Sequence, residues 1–120
     1  MNSRYYIYIE PASSRTKSDR MRVVKALQGD TVEKLQQLQD HVGGDIEVVP
    51  VDEGMAIVIN EAGRAMKMRK NKRASLLAGK TIVGPALAVR MAYKDGEIAL
   101  MGFDDLTVRK LCYQWKRACV

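Results

Sequence analysis

Hydrophobic and polar positions alternate or recur along the chain in patterns that divide it into strands and helices. Residues 4–10 (RYYIYIE) are rich in β-formers and stop at Pro11, which predicts a strand. Residues 21–27 (MRVVKAL), closed by Gln28-Gly29, predict a second. The polar, Ser/Thr/Lys/Arg-rich stretch 12–19 between them makes the pair a hairpin with a long basic loop. From Asp30 to Val42 the apolar residues Val32, Leu35, Leu38 and Val42 recur at helical spacing. Asp30 with Glu33 three residues on forms a capping box, and Gly43-Gly44 supplies the left-handed stop. His41 sits beside this stripe as a boundary residue.

The second half continues in shorter units. Residues 46–51 (IEVVPV) and 55–59 (MAIVI) read as strands joined by Asp52-Glu53-Gly54. The latter is apolar on both faces, so it belongs inside a sheet, while Pro50 puts the former at an edge or at its end. Asn60-Glu61-Ala62-Gly63 is a turn, and residues 75–78 carry no clear pattern. Residues 81–93 predict a strand with Leu87, Val89, Met91 and Tyr93 on one face. Asp95-Gly96 tolerates the positive φ angles of a type I′ turn, which makes 97–101 its hairpin partner. Asp104 or Asp105 then caps a helix to about Ala118, burying Val108, Leu111, Cys112 and Trp115. Arg109, Lys110, Lys116 and Arg117 face outward, the last two at the favourable end of the helix dipole. The expected order is β-β-α-β-β-β-β-α: an α+β fold with a mixed or antiparallel sheet, two helices and one domain over residues 1–120.

Charge changes this picture by location. The 120 residues carry 20 Lys and Arg against 14 Asp and Glu, a net of +6. Residues 62–94 hold nine cations and no acid, so the remainder, with 11 basic and 14 acidic residues, is at −3. The densest run is 64–73, where six of ten residues are cationic: Arg64, Lys67, Arg69, Lys70, Lys72 and Arg73. Met66 and Met68 interleave with Ala65, Lys67 and Arg69, which fits a strand extension with a basic row on one face. Apart from Tyr93 the acid-free segment has no aromatic residue, so it lacks a stacking platform; it suits phosphate and says nothing about bases. Cys112 and Cys119 lie seven residues apart, about 10 Å along a helix, beyond the roughly 7 Å Cα reach of a disulfide. They read as reduced thiols, Cys112 in the core, and no apolar run approaches the roughly 20 residues of a membrane span. Glu10 and Pro11 arrive before a signal-peptide core could develop, so the expectation is a soluble cytoplasmic protein.

Leu38-Gln-Asp-His-Val-Gly-Gly-Asp-Ile-Glu-Val-Val-Pro50, then Gly54, Ile57-Val-Ile-Asn-Glu61, Gly63, Asn71, Arg73-Ala74 and Ile82-Val-Gly84 form a recognisable series. Over roughly residues 4 to 89 it resembles the domain of unknown function 3846, a family found in bacteriophages and other mobile elements. That resemblance carries no catalytic or binding residue with it. It implies a small accessory protein in the cytoplasm of a bacterial host, where such proteins often bind a host molecule, including nucleotide signals of antiviral defence or nucleic acid.

Enzymatic motifs are missing. The chain has no Gly-x-x-x-x-Gly-Lys loop and no Gly-x-Gly-x-x-Gly fingerprint, and one histidine with two distant thiols assembles no zinc site. Glu47 and Glu61 come from neighbouring strands and could approach as a magnesium or acid–base pair, but a solvent-facing strand residue and a turn residue is the preferred reading. The expectation is a non-enzyme without cofactor or metal. Gly43, Gly44, Asn60 and Glu61 border the same pair of strands, where turn N–H groups can meet an anion. With Arg64, Lys67, Arg69, Lys70, Asn71, Lys72 and Arg73 they make the candidate ligand-binding set. Two readings follow: sequestration of a phosphorylated small molecule, leaning to a nucleotide enclosed in a homo-oligomer, or nucleic-acid binding through 64–73. In the second, residues 15–25 and the C-terminal cations extend the track. An inhibitor of an acidic host protein is the third possibility.

Overall fold

A computed structural model describes residues 4–12, 20–52 and 54–118. The basic loop over 13–19, the turn residue Glu53 and the thiol of Cys119 lie outside the described residues. The chain forms β1 (Tyr5–Glu10), β2 (Arg20–Lys25), α1 (Thr31–Val42), β3 (Ile46–Asp52), β4 (Met55–Asn60), α2 (Lys72–Ala78), β5 (Ala86–Lys94), β6 (Glu97–Met101) and α3 (Asp105–Ala118). The fold is α+β, with one six-stranded sheet in the order β2-β1-β5-β4-β3 and β6 added on β5. All pairings are antiparallel.

β5 organises the sheet. Its first half pairs β1 through Ile7↔Ala88 and Ile9↔Ala86, and its second half pairs β6 from Arg90↔Met101 to Lys94↔Glu97. Arg90 also faces Met55 of β4, so β6 and β1 follow one another along the edge opposite β4. Alternation along β5 sends Ala86 and Ala88 to one core and Leu87, Val89 and Met91 to the other. The first core is closed by Ala74 of α2 and Val108 and Trp115 of α3, the second by Leu38 and Val42 of α1. β4 is buried on both sides, as its uninterrupted apolar run requires, and β3 is the outer strand with Pro50 exposed.

Local signals account for several elements. Asp30 accepts the Glu33 N–H at 2.9 Å, and Gly43 ends α1 at φ 83°, a left-handed conformation. Asp95 and Gly96 have φ of 52° and 80°, as a type I′ turn needs. Asp104 caps α3 by accepting the Thr107 N–H at 2.7 Å. His41 is half-buried, with Nδ1 2.9 Å from the Gln37 carbonyl and its ring edge-on to Tyr8. Cys112 is half-buried against the α3 core.

The expected order of elements needs correction. A third helix, α2, stands where residues 75–78 carried no assignment, giving β-β-α-β-β-α-β-β-α. The strand expected over 81–93 begins only at Ala86. Residues 64–73 are not a strand extension. Local bonds from Met66 N to Ala62 O, Lys67 N to Arg64 O and Met68 N to Gly63 O wind residues 61–67 into consecutive turns, and Lys67 takes φ 53°. Period-two alternation in a charged run therefore carried no β information: Met66 is exposed and Met68 half-buried, in a segment that hydrogen-bonds to itself.

Candidate functional site

Residues 61–85, which hold the first part of the acid-free segment, leave the end of β4 and return to the start of β5, so they lie across one end of the sheet. Two buried asparagines hold them. Asn60, 3% exposed, donates from Nδ2 to the Val42 carbonyl at 3.2 Å and accepts the Ala62 N–H on Oδ1 at 2.8 Å. It thereby ties the C-terminus of α1 to the turn. Asn71, 0% exposed, donates from Nδ2 to the carbonyls of Ile9 and Gly84, both at 2.9 Å. Its Oδ1 accepts the Ala74 N–H at 3.1 Å and caps α2. Main-chain bonds from Asn71 N to Ile82 O and from Gly84 N to Arg69 O zip residues 69–71 onto 82–84.

Arg73 points inward. It is buried and donates to the Trp115 carbonyl, which joins the start of α2 to the last turn of α3. Lys116, the next residue along α3, is exposed.

The candidate residues therefore separate. Asn60, Asn71 and Arg73 are buried framework, whereas Arg64, Lys67, Arg69, Lys70 and Lys72 are exposed. Gly43 serves as the α1 stop, and Gly44 packs where an added Cβ would meet Asn60 Nδ2 at 3.0 Å. Among the described residues no carboxylate forms an ion pair with any of the five exposed cations. Arg64 does donate to the Thr81 carbonyl at 3.3 Å.

A cleft of about 240 Å³ opens beside them, lined by Glu47, Asn60, Glu61, Arg64, Lys80 and Thr81 among others. Glu47 and Glu61 do share this space, together with two cations. Their charges balance, so the cleft is not an anion trap, and among the described residues no cluster of three ligating side chains could hold a metal ion. The uncompensated positive charge stands outside the cleft, on Lys67, Arg69, Lys70 and Lys72. At the neighbouring edge Arg20 faces Glu10 across the β1–β2 pair, and the Arg22 guanidinium lies 5.1 Å over the Tyr8 ring.

Charge and composition do not reveal that Asn60, Asn71 and Arg73 turn inward as framework. A signal for Asn71 was present: a favoured cap residue three before Ala74, with Gly79 closing the helix at φ 71°.

The architecture is thus an antiparallel sheet covered by helices on both faces, with a basic, rigidly tethered segment across one end. The chain belongs to the DUF3846 family, a domain of unknown function, whose model matches residues 16–108. The match begins later and ends later than the resemblance over residues 4–89 suggested, and it contains the entire basic segment. β1 and most of α3 fall outside it. Neither the curated proteins nor the solved structures yield a match to the chain. No helix among the described residues is long and apolar enough to cross a membrane.

Proposed function

We propose that the protein binds a phosphate-bearing polyanion, a nucleic-acid backbone, through Lys67, Arg69, Lys70 and Lys72, without catalysis. One observation carries the reading: these cations are exposed, lack carboxylate partners among the described residues, and project from backbone tethered by buried Asn71. Charges on pre-ordered backbone lose little entropy on engaging phosphates, and each contact releases condensed counterions. Exposed Lys116 in the last turn of α3 and exposed Arg20, the first residue of β2, are the candidates for extending this surface. Specificity for bases has no support here, since no aromatic platform accompanies the cations.

An enclosed nucleotide is supported less well. The adjacent cleft, about 240 Å³, is smaller than the roughly 300–1,000 Å³ of small-molecule sites and holds two carboxylates. The setting implied by the family resemblance, a phage or mobile element acting in a bacterial cytoplasm, accommodates either ligand.

Salt dependence tests the proposal. With four to five phosphates engaged, the affinity for labelled duplex DNA or RNA should fall by roughly two orders of magnitude between about 50 and 200 mM salt. The variant Lys67→Ala/Arg69→Ala/Lys70→Ala/Lys72→Ala should lose binding, with a slope shallower by about one per phosphate contact removed. Retention of DNA and RNA by that variant refutes the reading. A salt-insensitive rise in melting temperature with mononucleotides replaces it with sequestration, and null results in both assays favour an acidic protein partner.

A further inference from the structure

We propose that the outer edge of β6 is a homodimer interface, at which a second copy of this chain pairs strand to strand and extends the sheet. The inference is independent of the polyanion reading: β6 hydrogen-bonds to the far half of β5, while the basic segment is zipped to Gly84 beyond its near end.

Sheet edges attract other strands unless something blocks them. In this sheet, two of the outer strands carry blocking features. β3 has Pro50, with a register irregularity between Pro50 and Asp52. β2 places Arg20, Arg22 and Lys25 along its six residues. β6, Glu97-Ile98-Ala99-Leu100-Met101, has no proline, no bulge and no charge between its ends.

Its free main-chain groups can be assigned. Met91 donates its N–H to the Gly54 carbonyl on the β4 side, so Met91↔Leu100 is a pair without mutual hydrogen bonds. The N–H and C=O of Leu100, and by alternation those of Ile98, therefore face away from β5. Among the described residues no strand pairs with that side of β6.

The exposed groups are self-complementary about a two-fold axis through Ala99. An antiparallel second copy sets Ile98 opposite the second copy's Leu100, and Leu100 opposite its Ile98, which forms about four main-chain hydrogen bonds. Ala99 meets the other Ala99 in the close, non-hydrogen-bonded position, where Cα atoms approach to about 4.5 Å and a methyl group fits. Glu97 falls opposite Met101, so no like charges oppose one another. Ile98, 48% exposed, would then bury against the second copy's Leu100 on the α1 face, next to exposed Tyr93. A two-fold arrangement of this kind closes on itself and adds no further subunits at β6.

Sedimentation equilibrium of the full chain gives the direct test. The wild type should run at about twice 13.4 kDa. Ile98→Lys should run at the monomer mass because it adds a charge at the edge. Ile98→Pro should do the same by removing an outward N–H that β5 does not use. Circular dichroism should show both variants folded, and hydrogen exchange at Ile98 and Leu100 should slow as wild-type concentration rises. A wild-type monomer at about 100 μM overturns the proposal, and so does a dimer that both folded variants retain. If the wild type is monomeric and instead captures an added strand-forming peptide, the edge serves another partner and the homodimer is overturned. Loss of polyanion binding in the lysine and arginine variants would leave all these outcomes unchanged.

Discussion

Replacing Asn71 by alanine should cost far more than removing one polar group from a basic loop. Its side chain is fully buried and supplies both donors to the Ile9 and Gly84 carbonyls and the acceptor for the Ala74 N–H. Two hydrogen bonds at about 1 kcal/mol each and an N-cap at about 1 kcal/mol give a loss of about 3 kcal/mol. Leaving the two carbonyls buried without that donor raises the loss towards about 5 kcal/mol. Against a stability of about 0.05–0.15 kcal/mol per residue over 120 residues, this is a large fraction of the total. Urea unfolding followed by circular dichroism reads the change, and melting should drop by about 12–20 °C. Asn71→Asp refines the test. It keeps the cap acceptor but sets a carboxylate against two carbonyl oxygens, so at neutral pH it should be at least as destabilising as alanine. A loss below about 1 kcal/mol in both variants would refute the assignment of Asn71 as the tether of the basic segment.

Asp104 and Cys112 yield two further expectations. The Thr107 hydrogen bonds hold the Asp104 carboxyl below its ordinary value of 3.8. A folded-state pKa below the unfolded one contributes stability above the unfolded value that is lost as pH falls through the folded one. Asp104→Asn, which still caps α3, should therefore flatten the decline in urea stability below about pH 4, and an unchanged decline would contradict this. Burial pushes the Cys112 thiol up, with Lys116 and Arg73 acting weakly in the opposite direction. Iodoacetamide at pH 8 should thus label Cys112 more slowly in the native chain than in urea, as read by peptide mass mapping. Equal rates would mean that this face of α3 does not pack on the core.

The elements legible beforehand are those whose information is local. Asp30 lies three residues from the N–H it caps, and Asp95-Gly96 carries the backbone freedom of its own turn. Val108, Leu111, Cys112 and Trp115 share one side of α3 by spacing alone, and Met55–Asn60 declares its burial by containing no charge. Pro50 placed β3 at an edge because a proline has no N–H for an inner ladder.

α2 offers the sequence only its cap, Asn71, and its stop, Gly79; seven residues make too short a helix to hold by propensity and depend on contacts that sequence spacing does not reveal. Asn71 bonds to Ile9, 62 residues away, and Arg73 to Trp115, 42 residues away. For the same reason a count of charges locates the basic run along the chain but does not reveal that Arg73 turns inward. Local patterning by itself determined the strands, the two longer helices and the position of the basic segment, since periodicity, caps and turn chemistry act within a few residues. The tertiary structure alone decided which members of that segment face solvent and which strand edge stays open, because both depend on partners that only long-range packing brings into hydrogen-bonding distance.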